Sequence, residues 1–181
     1  EGGPATRAQH AAWAWTELPV PVIAAVHGVA FGGGLQIALA ADFRFVAPDA
    51  RLSVMEIKWG LIPDMTLTQS LRRLVRLDVA KELTFSGRVV SGSEAAELGL
   101  ATQLSDTPLD AALELAREIA TKSPDAIRAG KQLLDRAGLV PVEEGLRLEA
   151  KWQASLLGKP NQREAVRANL EKREPRFADP D

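Results

Sequence analysis

Short apolar runs separated by glycine turns occupy the first part of the chain, and longer amphipathic stretches fill the rest. Ala8 to Trp15 follows a polar, Gly-rich opening and predicts a short helix. Pro21 to Val26, PVIAAV, is an apolar run bounded by prolines, the pattern of a buried strand. Three consecutive glycines, Gly32 to Gly34, then lead into LQIALAAD, whose apolar positions recur at helical spacing. Asp42 to Val46 alternates polar and apolar residues as a strand does. Arg51 to Val54 predicts a further short strand, Gly60 to Met65 a turn, and LTQSLRRLV a helix. Ser91 and Glu94 have the spacing of a capping box, with Gly99 as the stop of that helix and ATQLS as a strand after it.

Beyond Thr107 the period becomes helical throughout. Leu109, Leu113, Ala116 and Ala120 share one face of a first helix. A second fits Pro124 to Ala137, with proline at a favourable first position. A third runs from about Pro141 to Leu157, with Val142, Leu146 and Trp152 to one side, and the polar NQREAVRANLEKR makes the last. Strand, glycine turn, helix, strand is an α/β arrangement. It divides the chain into an α/β core over 1–107 and a helical region over 108–181.

Composition narrows the classes of partner. The chain has 181 residues, enough for a sizeable core, with 46% hydrophobic and 25% charged residues. A net charge of −2 offers no electrostatic reason to bind nucleic acid or an anionic membrane. No apolar run approaches membrane-spanning length, and the opening is not that of a signal segment. Cysteine is absent, so disulfides and thiolate metal sites are excluded, and His10 and His27 alone do not make a metal site. The expected location is the cytoplasm.

Glycine loses more backbone entropy on ordering than any other residue, so a run of three before a helix needs a reason. A tight turn or close packing of strand against helix is one. A phosphate cradle is a second, although GGGLQ lacks both the GxGxxG spacing and the GK[ST] ending. An oxyanion hole, a backbone N–H aimed at developing negative charge, is the third. Spacing alone leaves all three open.

PVIAAVHGVAFGGGLQIALAADFRFVA, ARLSVMEIKWGLIPD and AKELTFSGRVVSGSEAAELGLA together closely resemble the enoyl-CoA hydratase/isomerase (crotonase) family, over nearly the whole chain. The resemblance implies a spiral core of ββα units, partial here, and a C-terminal helical region that builds homotrimers or homohexamers. It implies an acyl-CoA thioester as substrate, with coenzyme A part of that substrate and no separate cofactor or metal. It makes Gly33 one backbone donor to the thioester oxygen as an enolate forms, with Gly32 and Gly34 beside the substrate and Lys172 near the coenzyme A nucleotide. The family's other donor lies upstream of PVIAAV, so the chain is expected to lack about the first third of a family member.

The residue that family hydratases carry as Glu is Gln36 here, whereas Glu56 matches their second Glu. Gln36 can hydrogen-bond a water or substrate but cannot exchange protons near neutral pH. Asp64, in LIPDM, stands where hydratases usually carry glycine and where dienoyl-CoA isomerases of the family place an acid. Those isomerases also carry Asp at the position of Gln36, so the match is two of three. Glu56 and Asp64 are therefore the expected catalytic pair for double-bond isomerisation of an enoyl- or dienoyl-CoA. Hydration, or non-catalytic binding of acyl-CoA, is the alternative, and a structural subunit is a third. Bland readings stand beside these: Asp64 as a helix N-cap, Glu56 as a solvated charge at a strand end, Gln36 as a polar residue on a helix face, Lys172 as a solvated helix charge, His27 as structural, and Trp59 and Trp152 as packing residues.

Overall fold

A computed structural model describes residues 6–180. The chain packs into two units, one formed by the chain up to Leu18 together with Val22–Glu114, the other by Pro19–Pro21 and Leu115 onward.

The first unit opens with α1 (Arg7–Glu17). Its start is a capping box not foreseen above: Thr6 Oγ1 accepts from Gln9 N–H at 3.3 Å and Thr6 N–H donates to Gln9 Oε1 at 2.8 Å. Strand β1 (Ile23–Val26) follows, then β2 (Val29–Phe31), α2 (Gly33–Leu39), β3 (Phe43–Val46) and β4 (Arg51–Ser53). Beyond β4 come a 3₁₀ turn over Glu56–Trp59, α3 (Leu67–Ser70), α4 (Leu77–Ser86), β5 (Val90–Ser91), α5 (Gly92–Leu98) and β6 (Gln103–Leu104).

The strands form two small sheets, in the orders β1-β3-β6 and β2-β4-β5. The pairs β1/β2 and β3/β4 each give one strand to either sheet before a helix follows, a β-β-helix winding, whereas β5 and β6 reach the two sheets from either end of α5. All pairings are parallel except β4 with β5. The register Ile23↔Phe43 through Val26↔Val46 brings apolar β1 against FRFV of β3. Leu35, Leu39, Val46, Leu52, Leu67, Leu71, Leu83, Val90 and Leu100 close the core between the layers.

Two buried contacts show how tightly the spiral is wound. A Cβ at Gly92 would stand 1.9 Å from Ala47 O, so only glycine lets α5 start there. Arg44 is buried, donating from Nε to Leu100 O at 2.7 Å and from Nη1 to Ala41 O at 2.6 Å. Burial lowers its guanidinium pKa, and the Asp42 carboxylate opposes that shift.

Some expectations change. The helix read over LTQSLRRLV is α only over Leu67–Ser70 and tightens to 3₁₀ over Leu71–Arg73. It stops where the Leu74 carbonyl packs on Gly99, at which a Cβ would be 2.6 Å away. The capping box at Ser91 is half formed: Ser91 Oγ accepts from Glu94 N–H, but the Glu94 carboxylate binds Arg88. Trp59 is not a packing residue; it is 69% exposed, with the Lys58 ammonium over its ring.

Helix α6 (Pro108–Ala120) runs across the boundary between the units. Its buried residues are Pro108 and Ala112, while the apolar stripe Leu109, Leu113, Ala116, Ala120 is exposed. The second unit continues with α7 (Pro124–Arg136), α8 (Val142–Leu156) and α9 (Pro160–Glu171). Helix α8 has no fully buried residue. The tail after α9 folds back on it through Asn161, whose amide exchanges two hydrogen bonds with the backbone of Ala178 at 2.9 Å each. No helix among the described residues is long and apolar enough to cross a membrane.

Candidate active site

The glycine run does two jobs. Gly32 is the N-cap of α2 at φ 51°, ψ −122°, a conformation that L side chains rarely adopt, and its N–H donates to Ser53 O at 3.0 Å. This ties the turn to the end of β4. Gly33 is the first residue of α2, where a helix has no partner of its own for the N–H. No acceptor for the Gly33 N–H is found among the described residues. Gly34 is exposed and lines an open, mostly apolar hollow of about 360 Å³ with Trp15, Ile23, Val26, His27 and Ile37. His27 is thus an exposed rim residue.

Glu56 opens the 3₁₀ turn that follows β4, and its carboxyl comes to the glycine turn. A Cβ on Gly32 would meet Glu56 Oε1 at 3.2 Å and Cδ at 3.6 Å. The carboxylate therefore rests on bare glycine backbone. Its reading as a solvated charge is overturned: Glu56 is partly buried, and Oε2 is a buried atom with no hydrogen-bond partner among the described residues.

Gln36 lies one turn into α2 and is 1% exposed. Its Nε2 donates to Glu56 Oε1 at 2.6 Å. Its Oε1 accepts from the N–H groups of Met65 at 2.8 Å and Leu67 at 3.3 Å. Little of the Gln36 amide is left for the water or substrate expected of it, one Nε2 hydrogen at most. Both lone pairs of its oxygen serve backbone N–H groups, and one of its two amide hydrogens serves Glu56.

Asp64 is exposed and makes no hydrogen bond or ion pair with Glu56 among the described residues. The N-cap alternative for Asp64 fails as well, because the N-cap of α3 is Thr66 and no side chain caps that helix. Sequence reasoning missed two neighbours. The Met65 thioether packs against Gly33, where a Cβ would stand 2.9 Å from Sδ. Thr66 takes a left-handed φ of 71° and buries Oγ1 without a partner among the described residues. Neither leaves a signal in the sequence, since methionine and threonine carry no turn signature. Lys172 lies in the second unit, exposed, as the left-handed C-cap of α9. Among the described residues no group of three His, Asp or Glu could hold a metal ion.

Chemically, the arrangement is one carboxylate with one oxygen fixed by an amide and the other free of donors. Beside it stands a helix N-terminus with an unpaired N–H. Such a site suits moving a proton next to a group that develops negative charge.

The family model described as enoyl-CoA hydratase/isomerase matches residues 5–180. The chain is 39% identical over 166 residues to a mitochondrial methylglutaconyl-CoA hydratase of Mus musculus, covering 88% of this chain and 53% of that protein. It is 39% identical over 161 residues to the peroxisomal Delta(3,5)-Delta(2,4)-dienoyl-CoA isomerase of Arabidopsis thaliana, covering 87% and 58%. The crystal structure of an enoyl-CoA hydratase from Bacillus anthracis superposes with a TM-score of 0.90 at 34% identity, covering 94% of this chain and 67% of that one. The chain spans about half the length of the first of these relatives.

Proposed function

The chain belongs to the enoyl-CoA hydratase/isomerase family, and on that premise we propose that the protein containing it shifts the double bond of an enoyl- or dienoyl-CoA. The observation that carries the reading is the single carboxylate of Glu56. It lies against Gly32 with a donor-free oxygen, while the position that could supply a second carboxylate is occupied by Gln36, whose amide is already engaged.

In this reading Glu56 takes a proton from the carbon next to a double bond and returns it further along the conjugated chain. The Gly33 N–H holds the thioester oxygen as it becomes an enolate, in the manner of an oxyanion hole. The apolar hollow beside Gly34 supports seating of the acyl portion. Asp64 is the proposed second proton carrier for dienoyl substrates, and Lys172 the proposed contact to the coenzyme A nucleotide. Hydration by two carboxylates is disfavoured, because an amide does not exchange protons near neutral pH.

The test is turnover by the whole protein. Panels of 3-enoyl-, 2-enoyl- and 3,5-dienoyl-CoA are followed by the absorbance of conjugated product and by deuterium uptake from heavy water. Isomerisation faster than hydration is the expected result. Hydration as the faster reaction, or saturable binding without turnover, overturns the isomerase reading. Replacing Gly33 by proline removes the N–H itself. In a variant that keeps its circular dichroism spectrum, loss of one oxyanion donor should cost roughly 10²–10³ in kcat.

A further inference from the structure

Gln36 holds two parts of the site at once. On one side its amide N–H fixes Glu56 Oε1 at 2.6 Å. On the other its oxygen gathers the N–H groups of Met65 and Leu67, the two residues that flank Thr66. Thr66 is β-branched and sits at φ 71°, a strained conformation that persists only where the surroundings impose it. Two hydrogen bonds from a buried side chain to either side of the strained residue are such an imposition. The same turn carries Asp64 at its start and sets Met65 against Gly33.

We propose that Gln36 is a positioning residue that locks the Glu56 carboxylate and the 65–67 turn into one rigid unit, so that base, turn and oxyanion glycine keep a common geometry. This role rests on the isomerase reading for its kinetic consequence only. Glutamate at this position would keep the acceptor for Met65 and Leu67, but would set two carboxyl oxygens 2.6 Å apart where an amide donor now stands. Such a pair shares one proton and titrates as a unit. The amide is therefore what leaves Glu56 with a fixed oxygen and a free one.

The experiment reads the lock directly by NMR on the whole protein. In the parent, the Met65 and Leu67 amides exchange slowly with solvent. Gln36→Leu should speed their exchange at least about tenfold, while Gln36→Glu, which retains the acceptor, should rescue it. The Gln36 side-chain amide proton should lie downfield in the parent and move upfield in Glu56→Leu. In the kinetic arm, Gln36→Leu should lower kcat by up to about 10²-fold, the cost of a base displaced by an ångström, with KM changed far less. Unchanged Met65 and Leu67 exchange in Gln36→Leu, or an unmoved Gln36 amide proton in Glu56→Leu, overturns the lock. A parent that turns over no acyl-CoA overturns the isomerase reading instead, and the two NMR arms then decide the lock alone.

Discussion

A methyl group placed on the Cα of Gly32 would stand 3.2 Å from Glu56 Oε1. The backbone there has φ 51° and ψ −122°, so alanine would be strained by its dihedrals as well as by the carboxylate. Gly32→Ala should lose roughly 1–3 kcal/mol of stability in urea titrations. Because the displaced group is Glu56, turnover should fall further than the loss of folded protein explains. A stable variant with parental kcat would show that the glycine serves only the turn.

Glu56→Gln keeps an oxygen to accept from Gln36 and removes the proton acceptor. Loss of a positioned base costs roughly 10²–10⁴ in rate. The expected result is a kcat lower by that range, with acyl-CoA binding by calorimetry and the urea midpoint nearly unchanged. Retained turnover would remove Glu56 from the chemistry.

Asp64→Asn separates the substrates. Asp64 is exposed and caps no helix, so the substitution should leave the melting temperature within a degree or two of the parent. If Asp64 returns the proton to a dienoyl chain, dienoyl-CoA isomerisation should fall by roughly 10² or more, and 3-enoyl-CoA isomerisation much less. Equal, small effects on both substrates would make it a surface residue.

What the sequence made readable follows from how local each signal is. The strand–glycine–helix order at 21–39, the stops at Gly99 and the proline-started helix at Pro124 are set by neighbouring residues, and the structure has them where the pattern puts them. Strand β2 was invisible because three residues between Gly28 and Gly32 carry no period, and its partner Arg51–Ser53 lies some twenty residues on. Helix α4 begins at Leu77 after an N-cap, Arg76, that makes no side-chain cap, so only Asp78 in its first turn hints at its beginning. In the site, the family resemblance pointed to Gly33, Gln36 and Glu56, but the Gln36–Glu56 hydrogen bond and the Met65–Gly33 contact are tertiary events. The first joins residues twenty apart, from a helix and a 3₁₀ turn, and no local rule relates them.

Acid should loosen the C-terminal unit through Glu164. Its carboxylate accepts from Arg173 Nη1 at 2.6 Å, from Arg176 N–H at 2.9 Å and from Arg167 Nη2 at 2.5 Å. These bonds, Arg173's first, hold its pKa well below the usual carboxylate range. A group whose folded pKa is depressed contributes stability that is fully present above its unfolded value, near 4.3, and lost as pH falls below it toward the folded one. Hydrogen exchange in α9 and the tail should therefore rise as pH drops below that value, after correction for intrinsic rates. Glu164→Gln should raise exchange there at neutral pH and flatten the acid response. An acid response identical to the parent's would place the acid-labile groups elsewhere.

Association is the remaining expectation, and the exposed apolar surface of the helical region argues for it. Helix α8 buries none of its residues fully, and Val142 and Leu146 on it are 73% and 58% exposed. Leu134 on α7 and Leu170 on α9 are exposed to 74% and 81%. Polar residues surround these leucines, yet burying one large aliphatic side chain is worth roughly 1.5–3 kcal/mol, so a partner that covers several gains substantially. The expectation from the family resemblance is that this partner is further copies of the same chain, in threes or sixes. Light scattering on the whole protein at micromolar concentration should give three or six times the single-chain mass. Leu146→Glu with Leu134→Glu should shift it toward the monomer by at least about tenfold in dissociation constant, since a charge buried without a partner is costly. A parent that is monomeric at micromolar concentration would mean that these side chains are covered within the chain's own full-length protein or remain in water.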